Sequence, residues 1–110
     1  MDVMTTRVVN SRTEKYDVYI GRAKHGMHFG NPFSHKELTL AAVRVESREQ
    51  AVRLFGEWIR GSDRLMNVEP ERRRWILNHL SLLKDRTLGC FCKPAACHGD
   101  VLAALADESS

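Results

Sequence analysis

The part of the chain that decides the fold lies near its carboxyl end, where residues 87–100 read TLGCFCKPAACHGD. Its first residues are β-prone and predict a short strand over Thr87–Cys92. A strand period of two places Leu88, Cys90 and Cys92 on one side of that strand. Apolar residues at helical spacing follow, and they predict a last helix that starts near His98.

Two more helices are predicted in the middle of the chain. Ser47 begins a capping-box pattern, and the apolar residues after it recur at helical spacing, which predicts a helix over about residues 48–60. Pro70 suits a first helical turn and predicts a second helix from there to near Asp85. We interpret Arg72-Arg73-Arg74, in that first turn, as a solvated face rather than a binding patch.

The remaining elements precede these helices. Short β-prone runs predict strands over Thr6–Asn10 and Asp17–Ile20. Residues Ala23 to Leu38 show no periodicity and are interpreted as a functional or ordered surface loop. The order β-β-loop-α-α-β-α predicts a single α/β domain over residues 1–110, with a small, partly parallel sheet flanked by helices.

Strand direction predicts where the site lies. If Asp17–Ile20 and Thr87–Cys92 are parallel neighbours, their carboxyl ends share one edge of the sheet. Gly21-Arg22 then meets Cys90-Phe91-Cys92 at that edge. Open α/β sheets place their ligand sites there.

Composition sets broad limits on function. The chain has 110 residues, of which 43% are hydrophobic and 28% charged, an ordinary globular balance. Its net charge of +3 permits nucleic acid or nucleotide binding but argues only weakly for either. No apolar run is long enough to span a membrane, and residues 1–10 lack the apolar stretch of a signal peptide. We therefore expect a cytoplasmic protein without a membrane partner.

All three cysteines fall within eight residues, and a histidine follows the last one directly, in the pattern C-x-C-x4-C-H. Three thiolates and one imidazole match the ligand set of a four-coordinate zinc site, which predicts zinc held by Cys90, Cys92, Cys97 and His98. The spacing departs from that of usual zinc motifs, because one residue separates the first pair. Since Cys97 and His98 are adjacent, they also point in different directions.

The same residues support two other interpretations. Cys97 lies where a helix begins, and a helix N-terminus lowers the pKa of a thiol. In this interpretation Cys97 is a nucleophile or anion ligand, His98 an acid or base, and Asp100 the residue that orients it. The third interpretation is structural, since free cysteines are often buried and inert.

Two further segments carry candidate ligand-binding residues. Gly21-Arg22 at a strand end can bind phosphate, with the arginine as a bidentate donor, or it can be a turn glycine followed by a solvated arginine. In Gly30-Asn31-Pro32-Phe33 the Asn31 amide can read a base or a carbonyl, and Phe33 can stack on a base. The alternative is a loop that its phenylalanines pin to the core.

Taken together, three segments resemble the family catalogued as domain of unknown function 4326, small proteins found in bacteria and in phage genomes. The segments are Val18–Arg22, Gly30–Phe33, and Leu88–Pro94 with Cys97–Asp100. The resemblance covers about residues 17–106. A fainter similarity links the last segment to the domain of unknown function numbered 488, in which an acidic residue matches Cys92. The resemblance implies no reaction, but it disfavours an inert cysteine cluster.

The sequence therefore favours a small metal- or ligand-binding domain, with zinc as its cofactor. One alternative is an enzyme that acts through Cys97 and His98 on a nucleotide-like or phosphorylated small molecule, with Arg22 as an anion clamp. The other, implied by the phage association, is an interaction protein that inhibits a host factor. In the first two cases the expected partner is a small anionic or nucleotide-like ligand.

Overall fold

The computed structural model describes residues 5–24, 26–36, 42–93 and 95–108 of the chain. These residues form five short strands, three α-helices and two 3₁₀ turns. In chain order they are β1 (Arg7–Asn10), β2 (Val18–Tyr19), β3 (Phe33–Ser34), β4 (Val43–Arg44), α1 (Arg48–Ile59), a 3₁₀ turn (Asp63–Leu65), α2 (Pro70–Asn78), a 3₁₀ turn (Leu80–Leu82), β5 (Thr87–Cys90) and α3 (His98–Glu108).

The strands form two parallel sheets. In the larger one β5 lies between β1 and β2 and pairs with both in parallel, with Val8 and Val18 both opposite Leu88. The smaller sheet pairs β3 with β4, also in parallel. The predicted mixed α/β fold and the predicted parallel pairing of the second and last strands are therefore confirmed.

The two faces of the larger sheet are covered differently. The connection from β1 to β2 crosses one face, because β1 and β2 lie on opposite sides of β5 and both run parallel to it. The Tyr16 ring lies over Gly89, where an added Cβ would come within 2.5 Å of it. A side chain at position 89 would thus displace the ring that covers this face. Leu88 and Cys90 point to the other face and are buried.

The helices stack outward from that buried face. Helix α3 packs on β1 and β5, α1 packs on α3 and β3, and α2 packs on α1. Side chains from each layer meet in one core, where Phe55, Trp58, Ile76 and Leu102 are each at most 1% exposed. Burial of such residues contributes roughly 1.5–3 kcal/mol each. The apolar residues that recur at helical spacing in the sequence are therefore core residues in the structure.

Strands β1 and β2 are shorter than predicted by one and two residues, and two other predicted elements end earlier than expected. The helix predicted from Pro70 to near Asp85 ends at Asn78, because His79 Nδ1 lies 2.6 Å from the Trp75 carbonyl and replaces the backbone partner of that oxygen. A 3₁₀ turn over Leu80–Leu82 continues the chain. The strand predicted to reach Cys92 ends at Cys90.

The stretch predicted as a loop from Ala23 to Leu38 contains strand β3. This strand has only two residues, and Val43 N and Val45 N donate to the carbonyls of Pro32 and Ser34. Two residues are too few to show a strand period in the sequence. Its partner β4 follows residues 37–41, which lie outside the described part of the chain.

The arginine run of α2 is not a solvated face, so that interpretation is wrong for two of its three residues. Arg72 is 6% exposed, and it pairs with Glu69 and donates to the carbonyls of His28 and Gly30. Arg73 donates to Trp58 O and Ile59 O at the end of α1. These two side chains are structural donors.

Within the residues that the structure describes, no helix is both long and apolar enough to cross a lipid bilayer.

Candidate functional site

A small cleft of about 60 Å³, partly open to solvent, lies at the carboxyl edge of the larger sheet, between that edge and the first turns of α1 and α3. It brings together all of the predicted site residues except Asp100. These residues are Gly21, Arg22, Asn31, Phe33, Cys90, Cys92, Cys97 and His98. The predicted meeting of the Gly21-Arg22 turn with the cysteine segment is thus observed.

Three separate elements deliver the thiols to one wall of this cleft. Cys90 is the last residue of β5, Cys92 lies in the turn after it, and Cys97 directly precedes α3. Asn10 Nδ2 donates to Lys93 O and Ala95 N donates to Cys92 O, which fixes that turn. The three Sγ atoms consequently lie within 4.8 Å of one another. Cys90 Sγ and Cys97 Sγ are 2.8 Å apart.

The three thiols differ in their acidity. Hydrogen bonds from Cys90 and Cys97 lower the pKa of Cys92, and the charge of nearby Arg48 lowers it further. Donation to Cys92 raises the pKa of Cys90. Hydrogen bonding to its two neighbours, together with burial, also raises the pKa of Cys97. The thiolate is therefore favoured at Cys92, which is half-buried and faces the cleft.

The prediction that the helix start lowers the pKa of Cys97 is contradicted by this arrangement. Cys97 lies at the start of α3 as expected, and Gly99 N donates to its sulfur at 3.3 Å. That single bond is outweighed by the two neighbouring thiols and by burial, since the residue is 1% exposed. The most acidic thiol of the cluster is Cys92.

His98 is held as a neutral ring inside the core. Burial lowers its pKa to about 4. Its Nε2 lies 2.9 Å from Ile20 O and 3.1 Å from Phe29 O, and carbonyls only accept, so Nε2 carries the proton. The lone pair is then on Nδ1, 3.7 Å from Cys97 Sγ. Among the described residues, the group of mutually close ligand atoms comprises the three thiols and does not include His98.

Asp100 is positioned away from its predicted role. It is exposed, and its Oδ1 lies 2.6 Å from Lys93 Nζ rather than beside the His98 ring. The backbone carbonyls of Ile20 and Phe29 orient that ring instead. The geometry therefore gives Asp100 no part in positioning His98.

Arg22 and Asn31 together build the opposite wall. Arg22 Nε donates to Asn31 O, and its Nη2 donates to Phe33 O. The Asn31 side chain donates to Ala51 O and accepts from Phe33 N, so both ends of its amide are engaged inside the protein. Asn31 thus shapes the cleft, whereas Arg22 keeps three N–H groups beyond these two bonds.

Phe33 belongs to the core. Its side chain is 1% exposed, although it lines the floor of the cleft. A ring with so little exposed face cannot stack on a base. Phe33 therefore holds the Gly30–Phe33 loop to the core, as the second interpretation of this segment predicted.

Position 30 requires a glycine, because Arg22 and His28 approach its backbone closely. An added Cβ would lie 2.8 Å from Arg22 Cα and 2.9 Å from His28 Nδ1. Because one of these atoms is backbone, we expect Gly30→Ala to destabilise the protein by about 1–3 kcal/mol in urea unfolding. Gly56→Ala is the control, since it lies within α1 with open space around it and should be neutral or stabilising. Equal stability of the two variants would contradict this assignment.

Sequence reasoning missed two cations that line the cleft, namely Lys36 and Arg48. Arg48 did carry a signal, because it directly follows the N-cap Ser47, where a positive charge is mildly unfavourable for the helix. Such a placement indicates that the charge serves another purpose. Lys36 lies in an irregular segment where no pattern marks it.

Comparison with known proteins gives two matches. The model of the family described as domain of unknown function DUF4326 matches residues 3–108. A protein of Enterobacteria phage T4, described as "Uncharacterized 12.4 kDa protein in nrdA-td intergenic region", is 35% identical over 103 residues, which cover 93% of this chain and 78% of the phage protein. No solved structure matches the chain significantly. The fainter similarity to the family numbered 488 stays a prediction.

Proposed function

The chain belongs to the DUF4326 family, and from this premise we propose that it is a small zinc-binding domain. In this proposal Cys90, Cys92 and Cys97 hold the ion, and its fourth position opens toward the cleft. Three protein ligands with one open position are typical of zinc sites that take a water or a substrate.

One observation carries this proposal, the mutual closeness of three sulfur atoms that come from a strand end, a turn and a helix start. Zinc–sulfur bonds of about 2.3 Å in tetrahedral geometry place sulfurs about 3.8 Å apart. The three Sγ atoms lie within 4.8 Å of one another, which is compatible with that spacing. The 2.8 Å between Cys90 and Cys97 would widen by about 1 Å on metal entry.

The surroundings of His98 also support a metal. In zinc sites a ring nitrogen that carries its proton usually donates to a backbone carbonyl or a carboxylate, which leaves the other nitrogen free. His98 has this arrangement, with Nε2 on two carbonyls and Nδ1 toward Cys97. Coordination by His98 itself stays a prediction.

Elemental analysis of the purified protein tests the proposal. We expect about one equivalent of zinc in the wild type and a large loss in Cys92→Ser, because a hydroxyl is a far weaker zinc ligand than a thiolate. Cys92 is half-buried, so this change spares the core. Ala96→Ser is the matched control, since it adds a hydroxyl to the same exposed loop and keeps all three thiols. Less than about one-tenth of an equivalent in the wild type, purified without chelator, would contradict a metal-dependent site.

A second candidate function is an enzyme whose nucleophile is Cys92. It is favoured by the lowered pKa of this thiol and by its place on the cleft wall, beside Arg48. Thiol labelling separates the two functions. A metal-free protein in which Cys92 reacts much faster than free cysteine near neutral pH supports the enzyme.

A host-protein partner stays a prediction, and recovery of no stoichiometric partner from a bacterial lysate would weaken it.

A further inference from the structure

The cleft has an unusual charge balance. Three of its lining residues, Arg22, Lys36 and Arg48, are cations, and no aspartate or glutamate is present among the described residues that line it. Arg22 is fixed by its two carbonyl partners. The first turn of α1 also faces the cleft through Arg48, Ala51 and Val52, and the N-terminal end of a helix is positive.

The thiols account for only part of this positive charge. Three thiolates on one Zn²⁺ carry about −1, which leaves a surplus of about +2 from the three cations. Without a metal, one thiolate at Cys92 supplies about the same −1, so the surplus is again about +2. In both states the described residues of the cleft lack a counter-charge, which a small dianion would supply.

A phosphomonoester matches this surplus. At neutral pH a phosphate monoester carries about −1.5 to −2 charges and offers three acceptor oxygens. Arginine and lysine are the side chains that bind such groups, and arginine does so with paired hydrogen bonds. Arg48 makes no hydrogen bond or ion pair with another described residue, so its guanidinium is available for this purpose.

The aromatic residues of the cleft argue against recognition of a nucleobase. Phe33 is buried, and the centroid of the Phe91 ring has Arg12 Cζ and Lys36 Nζ each 5.7 Å away. Cations therefore already contact the ring that a base would stack on. Both polar ends of the Asn31 amide are engaged within the protein. The described residues of the cleft thus offer charge for a phosphate but no free platform for a base.

We propose that this cleft binds the phosphate group of a small phosphomonoester through Arg22, Lys36 and Arg48. The proposal rests on the ligand-binding cleft of the proposed function but not on the metal, because the surplus of charge is present in both states.

Calorimetric titration with inorganic phosphate, uridine 5′-monophosphate and uridine tests this proposal. We expect the monophosphate to bind the wild type and uridine not to bind. Arg48→Gln should weaken monophosphate binding about 10-fold or more, the loss expected for a charge-assisted hydrogen bond. Arg53→Gln is the matched control on the same helix, since Arg53 is exposed and outside the cleft, and it should change affinity less than about twofold.

Four results would overturn the proposal. The first is a dissociation constant for the monophosphate above about 10 mM, and the second is uridine binding as tight as that of the monophosphate. The third is binding of inorganic phosphate without binding of the monophosphate. The fourth is an equal loss of monophosphate affinity in Arg48→Gln and Arg53→Gln. Zinc content measured on the same samples keeps the two proposals apart. Phosphate binding without zinc overturns only the metal, and zinc without phosphate binding overturns only the ligand.

Discussion

Removal of zinc by a chelator is expected to lower the free energy of unfolding of this protein by about 4 kcal/mol, for free zinc at about 1,000 times its dissociation constant. The reason is that a site built from residues 90, 92 and 97 does not exist in the unfolded chain, so binding free energy becomes folding free energy. For a chain of 110 residues, this corresponds to a fall in Tm of about 15 °C. Thermal unfolding with and without chelator measures it.

Cys92→Ser provides the control for chelation. This variant keeps the buried pair Cys90 and Cys97, and we expect the chelator to shift its Tm by little. A chelator shift of the same size in the wild type and in Cys92→Ser would show that the effect does not come from the cysteine cluster. No shift in either protein would contradict a structural role for the metal.

Arg72→Ala is expected to destabilise the protein by about 3 kcal/mol or more, an effect as large as that of losing a core side chain. The guanidinium makes two bonds to the Glu69 carboxylate and two to the carbonyls of His28 and Gly30. Truncation would leave these carbonyls without their donor, and a buried polar group without a partner costs about 1–3 kcal/mol. The loss also removes the tie between α2 and the loop that carries Gly30.

Urea unfolding of Arg72→Ala beside Arg74→Ala tests this role. Arg74 is the exposed member of the run, and its truncation should change stability by less than about 0.5 kcal/mol. The pair isolates the buried contacts, because both substitutions remove the same charge from the same helix. Similar stability of the two variants would mean that the run is solvated, as the sequence alone suggested.

The wrong interpretation of the arginine run shows which contacts of this fold a sequence pattern does not predict. The pattern around Ser47 gave α1 almost to the residue, because a cap and a helical stripe are local features. The two carbonyl partners of Arg72, in contrast, lie 42 and 44 positions away in the chain. No local pattern encodes such contacts. Strands β3 and β4 escaped prediction because two residues show no period.

The sequence predicted where the cleft residues lie better than it predicted their chemical roles. Parallel pairing of β2 with β5 placed Gly21-Arg22 beside the cysteine segment, and the structure agrees. The roles of individual residues depend on side-chain neighbours that the sequence does not specify. Cys97 was expected to be the acidic thiol because of its helix, yet two adjacent thiols and burial favour Cys92. Arg48 was missed because its element, α1, lies far from the cysteines in the chain.

X-ray absorption at the zinc edge of the purified protein tests the central proposal most directly, because it counts the sulfur atoms bound to the metal. The arrangement of Cys90, Cys92 and Cys97 predicts three sulfurs at about 2.3 Å and one nitrogen or oxygen at about 2.0–2.1 Å. A zinc shell with two or fewer sulfurs, or with nitrogen and oxygen ligands alone, would contradict the account.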